Sequence, residues 1–375
     1  MGPPVPVAER NENSLKDNKM ADIQLHRPGK LGNPDLVIKD DPRADRRLAA
    51  TLDAMQMGGD PPVYVNVSTP LEGIREYLKA AEAGSVDFFA ASVAGMPPVE
   101  GVTTTVEKIA GVDGNEIALF IHKPDGVDGA VPAVLHLHGG GMCILDAEGP
   151  LYTRWRNDLA AKKLVVIGVE FRNATGRLGV HPFPAGLNDV SSALRWVNEN
   201  RPKLGISKLI VSGDSGGANL SLAATLKAKR DGRLHEVDGV YALCPYISNA
   251  YANKLPELQS LYENDGLYTP LAVVAATAIA YDPDGKNATN PLAWPFHASK
   301  ADLEGLPPHA ISVNELDPFR DEGLAYYRKL QDAGVPSRAR MVSGTCHAAE
   351  INFMKAIPDV YHATLSDIAV FAYSL

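Results

Sequence analysis

The sequence predicts an α/β architecture, a mostly parallel central sheet flanked by helices, with a helical cap. Two observations carry this. Short apolar runs alternate with segments of helical periodicity from residue 133 onward, and small-residue motifs follow several of those runs directly.

Residues 1–40 mix proline, glycine and charge with little periodicity and read as a loosely ordered arm that wraps the domain. A helix is expected over residues 41–57, with Pro42 just inside its start and Leu48, Leu52 and Met55 at helical spacing. Ser68, Thr69 and Pro70 begin a second helix that runs to Gly84. The stretch VDFFAASVAGMPP after it is apolar, ends in a proline pair and needs a larger body to pack against. VTTTVEKIA and EIALFIHKP then alternate apolar and polar residues around Asp113-Gly114, the pattern of an antiparallel hairpin. The runs AVLHLH, LVVIGVEF, KLIVSGD, GVYALCP and HAISVNE read as core strands, and PAGLNDVSSALRWVNEN and GANLSLAATLKAKRDG as helices between them. Residues 247–290 are too long for a simple loop between two strands and carry the apolar segment LYTPLAVVAATAIAY. The chain therefore divides into an arm with cap helices (1–100), a first part of the core (101–246), a cap insertion (247–290) and a second part of the core (291–375).

At 375 residues and 45% hydrophobic composition, the chain can bury a full core. Its 33 glycines and 28 prolines follow no fixed period, which fits a loop-rich enzyme better than a fibrous chain. A net charge of −9 argues against nucleic acid or an anionic membrane as partner, because both require basic surface. The first twenty residues hold no apolar signal segment, and no run approaches the ~20 residues that span a bilayer, so a cytoplasmic protein without an integral membrane segment is expected. Three widely spaced cysteines, Cys143, Cys244 and Cys346, support neither a disulfide framework nor a zinc site and read as reduced thiols.

Chemistry concentrates in four motifs. Gly213-Asp214-Ser215-Gly216-Gly217 lies between a strand and a helix, where small neighbours allow a sharp turn that exposes the Ser215 hydroxyl. The helix behind it points its N-terminal N–H groups at the site. His138-Gly139-Gly140-Gly141 follows the strand AVLHL; three glycines let backbone N–H groups approach a ligand unobstructed, and no Lys-Ser/Thr follows to make a phosphate loop. The N–H groups of Gly140, Gly141 and Gly216 are the expected oxyanion donors. His138 reads as a loop anchor. Asp317, in the loop after the strand HAISVNE, is the candidate acid, while Asp321 and Glu322 fall in a first helical turn and read as caps. His347, in the glycine-containing loop after RARMV, is the candidate base. In this reading His347 takes the proton of Ser215 as it attacks an ester carbonyl and returns it to the leaving alkoxide, and water repeats the cycle. The chemistry needs no metal and no organic cofactor.

Together HGGGM, GDSGGANL, DPFRDEG and GTCHAAE resemble the hormone-sensitive lipase family of α/β-hydrolase esterases, and the long N-terminal arm looks most like its brefeldin A esterase-like branch. The resemblance implies that Ser215, Asp317 and His347 form a triad and that the two later glycines of HGGG donate to an oxyanion. It also implies a helical cap, short-chain carboxylic esters as small-molecule substrates, and a homodimer joined through the sheet edge. Many relatives carry alanine after the serine; Gly216 stands here instead, with less bulk on that side. Met142, Tyr246 and Tyr262 are candidate substrate-pocket residues. The same triad also serves amidases, lactonases and acyltransferases, because the cap selects the substrate. Receptors on this fold have lost the histidine that this chain keeps. Cys143 and Cys346 adjoin the motifs, so a bulky thiol reagent is expected to slow the enzyme.

Overall fold

A computed structural model describes Gly2 and residues 27–375. The remainder of the N-terminal arm lies outside the described residues. The hairpin forms as expected: β1 (Val102–Ala110) and β2 (Glu116–Pro124) pair antiparallel, and Gly111 N–H closes the turn on the Asn115 carbonyl. β3 (Val131–Leu137), β4 (Val165–Val169), β5 (Ile206–Asp214), β6 (Gly239–Leu243), β7 (His309–Asn314) and β8 (Ser337–Val342) complete one sheet. Its order is β1-β2-β4-β3-β5-β6-β7-β8. β2 joins β4 antiparallel, and β4 through β8 are all parallel. Strands β4, β6 and β7 are buried along their whole length, as a sheet covered on both faces requires.

Eight longer helices stand among the described residues: α1 (Arg46–Ala54), α2 (Leu71–Val93), α3 (Pro150–Ala160), α4 (Ala185–Glu199), α5 (Gly216–Arg230), α6 (Leu271–Tyr281), α7 (Arg320–Asp332) and α8 (Pro358–Tyr373). The larger core packs α4, α5 and α7 against one face of the sheet, together with side chains of the 247–290 insertion. On the other face, Tyr152, Trp155 and Leu159 of α3 pack with Tyr361, Leu365 and Ile368 of α8. No helix among the described residues is long and apolar enough to cross a membrane.

Two helices differ from expectation. α1 begins at Arg46 rather than at residue 41, because the Asp41 carboxylate accepts the Arg43 N–H in a local turn and Asp45 caps the helix through Arg47 N–H. α2 runs nine residues past Gly84. Glycine there costs the helix about 1 kcal/mol, but the continuation lets Phe88 meet Phe353 and Phe89 meet Tyr152 at ring-centroid distances of 6.0 and 6.5 Å.

The N-terminal segment reaches deep into the molecule. Ile38, Ala44, Leu48 and Leu52 pack with Leu316, Cys346, Ala349 and Phe353 in a third apolar cluster. Arg43 pairs with Asp41 and Glu263, while Arg320 holds the same Glu263 carboxylate at 2.8 and 2.9 Å. Asp45 N–H donates to the Gly344 carbonyl, three residues before His347.

Candidate active site

Ser215 is the last residue before α5, with φ +54° and ψ −116°. That backbone is unfavourable for a residue with a Cβ and persists only where its surroundings enforce it. The enforcement is visible at Gly217, where a Cβ would lie 2.1 Å from the Leu137 carbonyl oxygen, so β3 and the start of α5 meet closer than any side chain permits. The strand-to-helix turn thereby holds the serine hydroxyl at the carboxyl ends of β3, β5 and β6.

The structure brings Ser215, Asp317 and His347 together from three loops. His347 Nε2 lies 2.9 Å from Ser215 Oγ, and His347 Nδ1 lies 2.7 Å from Asp317 Oδ2. A carboxylate can only accept, so Nδ1 carries the proton and Nε2 is left as the acceptor for the Ser215 hydroxyl. Asp317 is fully buried, and Phe319 N–H donates to its Oδ1 at 2.9 Å. The Phe319 ring stands edge-on to the imidazole at 4.9 Å. Burial pulls the His347 pKa down, but Asp317, with smaller contributions from Asp214 and Glu350, outweighs it and leaves the imidazole above its ordinary value. Burial acts on a carboxylate with the opposite sign and pushes Asp214 up to about 7.

Gly140 and Gly141 line the cavity beside Ser215, and the N–H groups of Gly140, Gly141 and Gly216 have no hydrogen-bond partner among the described residues. The glycine loop presses directly on the serine turn. A Cβ at Gly216 would lie 2.6 Å from Met142 N and 2.8 Å from Gly141 N, so the missing bulk at Gly216 is space already taken by that loop's backbone.

The cavity holds about 180 Å³. Tyr77, Leu78 and Ala81 of α2 form one wall, Val273, Val274 and Thr277 of α6 another, and Ile144, Tyr246 and Phe319 the base. Of the candidate pocket residues, only Tyr246 lines it; its hydroxyl donates to the Val274 carbonyl at 3.0 Å. Met142 turns away because its φ of +59° directs the side chain into the core, where it is 2% exposed. Tyr262 faces a separate surface groove, where its hydroxyl donates to the Lys254 carbonyl.

Other readings of single residues also change. Asp321 and Glu322 are not caps: α7 starts without a side-chain cap, and both carboxylates turn to the insertion. Asp321 accepts the Ser260 N–H, and buried Glu322 accepts from Ile247 N–H, Tyr251 Oη and Ser248 Oγ, which ties the insertion to the helix after Asp317. All three cysteines are buried and their thiols are pushed up by that burial, so a bulky thiol reagent has no access in the folded protein. Cys143 instead donates to the Thr277 carbonyl at 3.4 Å. His138 stacks on Phe171 with ring centroids 4.2 Å apart, as an anchor for its loop. Cys244, Asp317 and His347 approach metal-ligand spacing, but the thiol is held protonated and both imidazole nitrogens are engaged, so this donor set does not suit a cation.

Tyr77, Leu78, Ala81, Thr277 and Phe319 were not legible as cavity residues from sequence. The helical spacing of Ile74, Leu78 and Ala81 on α2 is the one signal that groups part of this wall.

Comparison with known proteins agrees with the architecture. The profile of the α/β hydrolase fold family matches residues 134–351. Carboxylesterase NlhH of Mycobacterium tuberculosis is 32% identical over 280 residues, covering 72% of this chain and 82% of that protein. Among solved structures, brefeldin A esterase, a bacterial homologue of human hormone-sensitive lipase, superposes with a TM-score of 0.89 at 42% identity, over 92% of this chain and 98% of that one. Esterase Est22 superposes with a TM-score of 0.80 at 36% identity, over 90% and 99%. The chain thus belongs to the α/β-hydrolase fold family, within its hormone-sensitive lipase-like group.

Proposed function

We propose that the protein is a carboxylesterase that hydrolyses short-chain carboxylic esters through an acyl-enzyme on Ser215. One observation carries the reading: the unbroken line from Asp317 Oδ2 through His347 to Ser215 Oγ, with hydrogen bonds of 2.7 and 2.9 Å. His347 takes the hydroxyl proton as Ser215 Oγ bonds to the ester carbonyl carbon. The buried Asp317 carboxylate stabilises the imidazolium that results. The N–H groups of Gly140, Gly141 and Gly216 then receive the oxyanion, and the positive end of α5 adds to the same field. His347 protonates the departing alkoxide. Water, deprotonated by His347, attacks the acyl carbon and releases the acid and the free serine.

The cap in this proposal combines the N-terminal helices with residues 247–290, a reading supported by α2 and α6 walling the cavity. A volume near 180 Å³ with apolar walls favours small uncharged acyl groups. The outer edge of β8, unpaired among the described residues, supports a homodimer, which light scattering of the purified protein would check.

The test is hydrolysis of p-nitrophenyl acetate and butyrate by wild type and Ser215→Ala, with folding checked by circular dichroism. Wild type is expected to turn over both, and Ser215→Ala to lose at least about a thousandfold in kcat. Because His347 must be neutral to act and sits above its ordinary value, kcat/KM should rise with pH through a midpoint above 6.5. A folded Ser215→Ala that keeps its activity, or a wild type that captures no fluorophosphonate at Ser215, would sink the assignment. Turnover of a matched amide at a comparable rate would redirect it to an amidase.

A further inference from the structure

The glycine loop must hold the Gly140 and Gly141 N–H groups on the same point as the Gly216 N–H of the serine turn, and its backbone there is left-handed. Gly140, Gly141 and Met142 have φ of +93°, +62° and +59° in succession. Something has to fix the loop's entry. Gly139 N–H donates to Tyr152 Oη at 2.9 Å, and the Tyr152 hydroxyl donates in turn to Asp214 Oδ2 at 3.2 Å. Asp214 immediately precedes Ser215. The chain of two hydrogen bonds therefore joins the oxyanion loop to the serine turn through one side chain on α3.

Space around the chain is already taken. A Cβ on Gly139 would lie 2.5 Å from Asp214 Oδ2 and 3.0 Å from Tyr152 Oη, so the first glycine of the motif makes room for this pair and not for the substrate. Tyr152 is 3% exposed, and its ring packs against Phe89, His136 and His138. Asp214 Oδ1 is buried with no partner, so Tyr152 is the one side chain that satisfies this carboxyl among the described residues. At the far end of the loop, Gly141 N already sits 2.8 Å from where a Gly216 Cβ would be, which leaves no slack between donors and nucleophile.

We propose that Tyr152 is a positioning residue for catalysis: its hydroxyl sets the register between the oxyanion loop and the Ser215 turn. The inference rests on the esterase reading above. Tyr152 touches no reacting atom; it acts through Gly139 on Gly140 and Gly141, and through Asp214 on Ser215. Displacing preorganised donors by a fraction of an ångström weakens the oxyanion contact far more than it weakens ground-state binding.

The experiment compares wild type with Tyr152→Phe, which keeps the packed ring and removes only the hydroxyl. Steady-state hydrolysis of p-nitrophenyl butyrate is measured beside inhibition by a trifluoromethyl ketone, whose adduct with Ser215 places an oxyanion in the same hole. The expected result is a kcat lowered about 10- to 100-fold with KM within about twofold, and ketone affinity lowered by a similar factor. Asp214→Asn, which leaves the Gly139–Tyr152 bond in place, should move kcat in the same direction by less, and it decides the matter if Tyr152→Phe does not fold. A kcat within about threefold of wild type in the folded variants overturns the proposal, as does a parallel shift of kcat, KM and melting temperature, which is the mark of general packing. An active wild type with an unaffected Tyr152→Phe overturns this inference alone. A wild type that neither hydrolyses the ester nor captures a fluorophosphonate overturns the esterase reading and this inference with it.

Discussion

The two helical walls of the cavity are attached to the core in different ways. α6 is apolar nearly all round and is bonded to the loops after β3, β4 and β6: Tyr246 Oη to the Val274 carbonyl, Cys143 Sγ to the Thr277 carbonyl, and Phe183 N–H to the Tyr281 carbonyl. The insertion that carries α6 is also anchored at its start by the three donors that converge on Glu322. α2 has 23 residues, of which only Ile74 and Leu78 are buried, and Val86 is left 58% exposed. Its polar ties are few: Glu82 accepts the Leu145 N–H at 2.8 Å, and Lys355 donates to the Ala91 and Ala94 carbonyls. One wall thus belongs to the core, while the other rests on it. Changes on the α6 side should register as lost stability or lost chemistry, and changes on the α2 side as altered selectivity.

The largest effect expected from this contrast is at Glu322. Glu322→Ala leaves buried donors at Ile247 and Tyr251 without an acceptor, and we expect a loss of about 3 kcal/mol in denaturant unfolding. A loss under about 1 kcal/mol would mean that the insertion is not fixed to α7 through this residue. Next comes the same added bulk on each wall. The Thr277 methyl already lies 2.8 Å from where a Gly141 Cβ would be, so Thr277→Leu should press on the glycine loop and lower kcat for acetate and butyrate esters alike. Ala81→Leu should spare the acetate ester and lower kcat/KM for the butyrate ester by about tenfold. Equal behaviour of the two variants would remove the distinction between the walls. The smallest effect belongs to Glu82→Ala, which unties α2 from Leu145: KM should rise about two- to threefold, with stability changed by less than about 1 kcal/mol. A drop in kcat at constant KM would show instead that Leu145, close behind the glycine loop, is the element affected.

What could be read from sequence follows the same divide. Ser215, Asp317 and His347 lie directly after strands, and parallel topology sends every such loop to one end of the sheet, so chain order sufficed to group them. Gly140 and Gly141 were legible because three glycines in a row have few other uses. The individual wall residues were not: both segments were expected as cap elements, but α2 and α6 are far apart in sequence and nothing local says which of their faces meet. Met142 failed as a pocket residue through a single backbone angle, and Tyr262 because the short helix Ser260–Glu263 that carries it lies at a separate surface groove. Tyr152 was hidden for another reason: an aromatic residue in an amphipathic helix looks like ordinary core, and its hydroxyl bonds become visible only once α3 is laid on the sheet.

The contact between Asp45 and Gly344 has a consequence for how the molecule matures. Residues near the beginning of the chain brace the loop that presents His347, and Cys346 is sealed beneath Ile38, Ala44 and Leu48. Contacts that span nearly the whole sequence carry a large loop-closure cost unless the intervening chain is already ordered. We therefore expect the brace of the His347 loop to be among the later native contacts to form, which pulsed hydrogen exchange at the Asp45 amide during refolding would check.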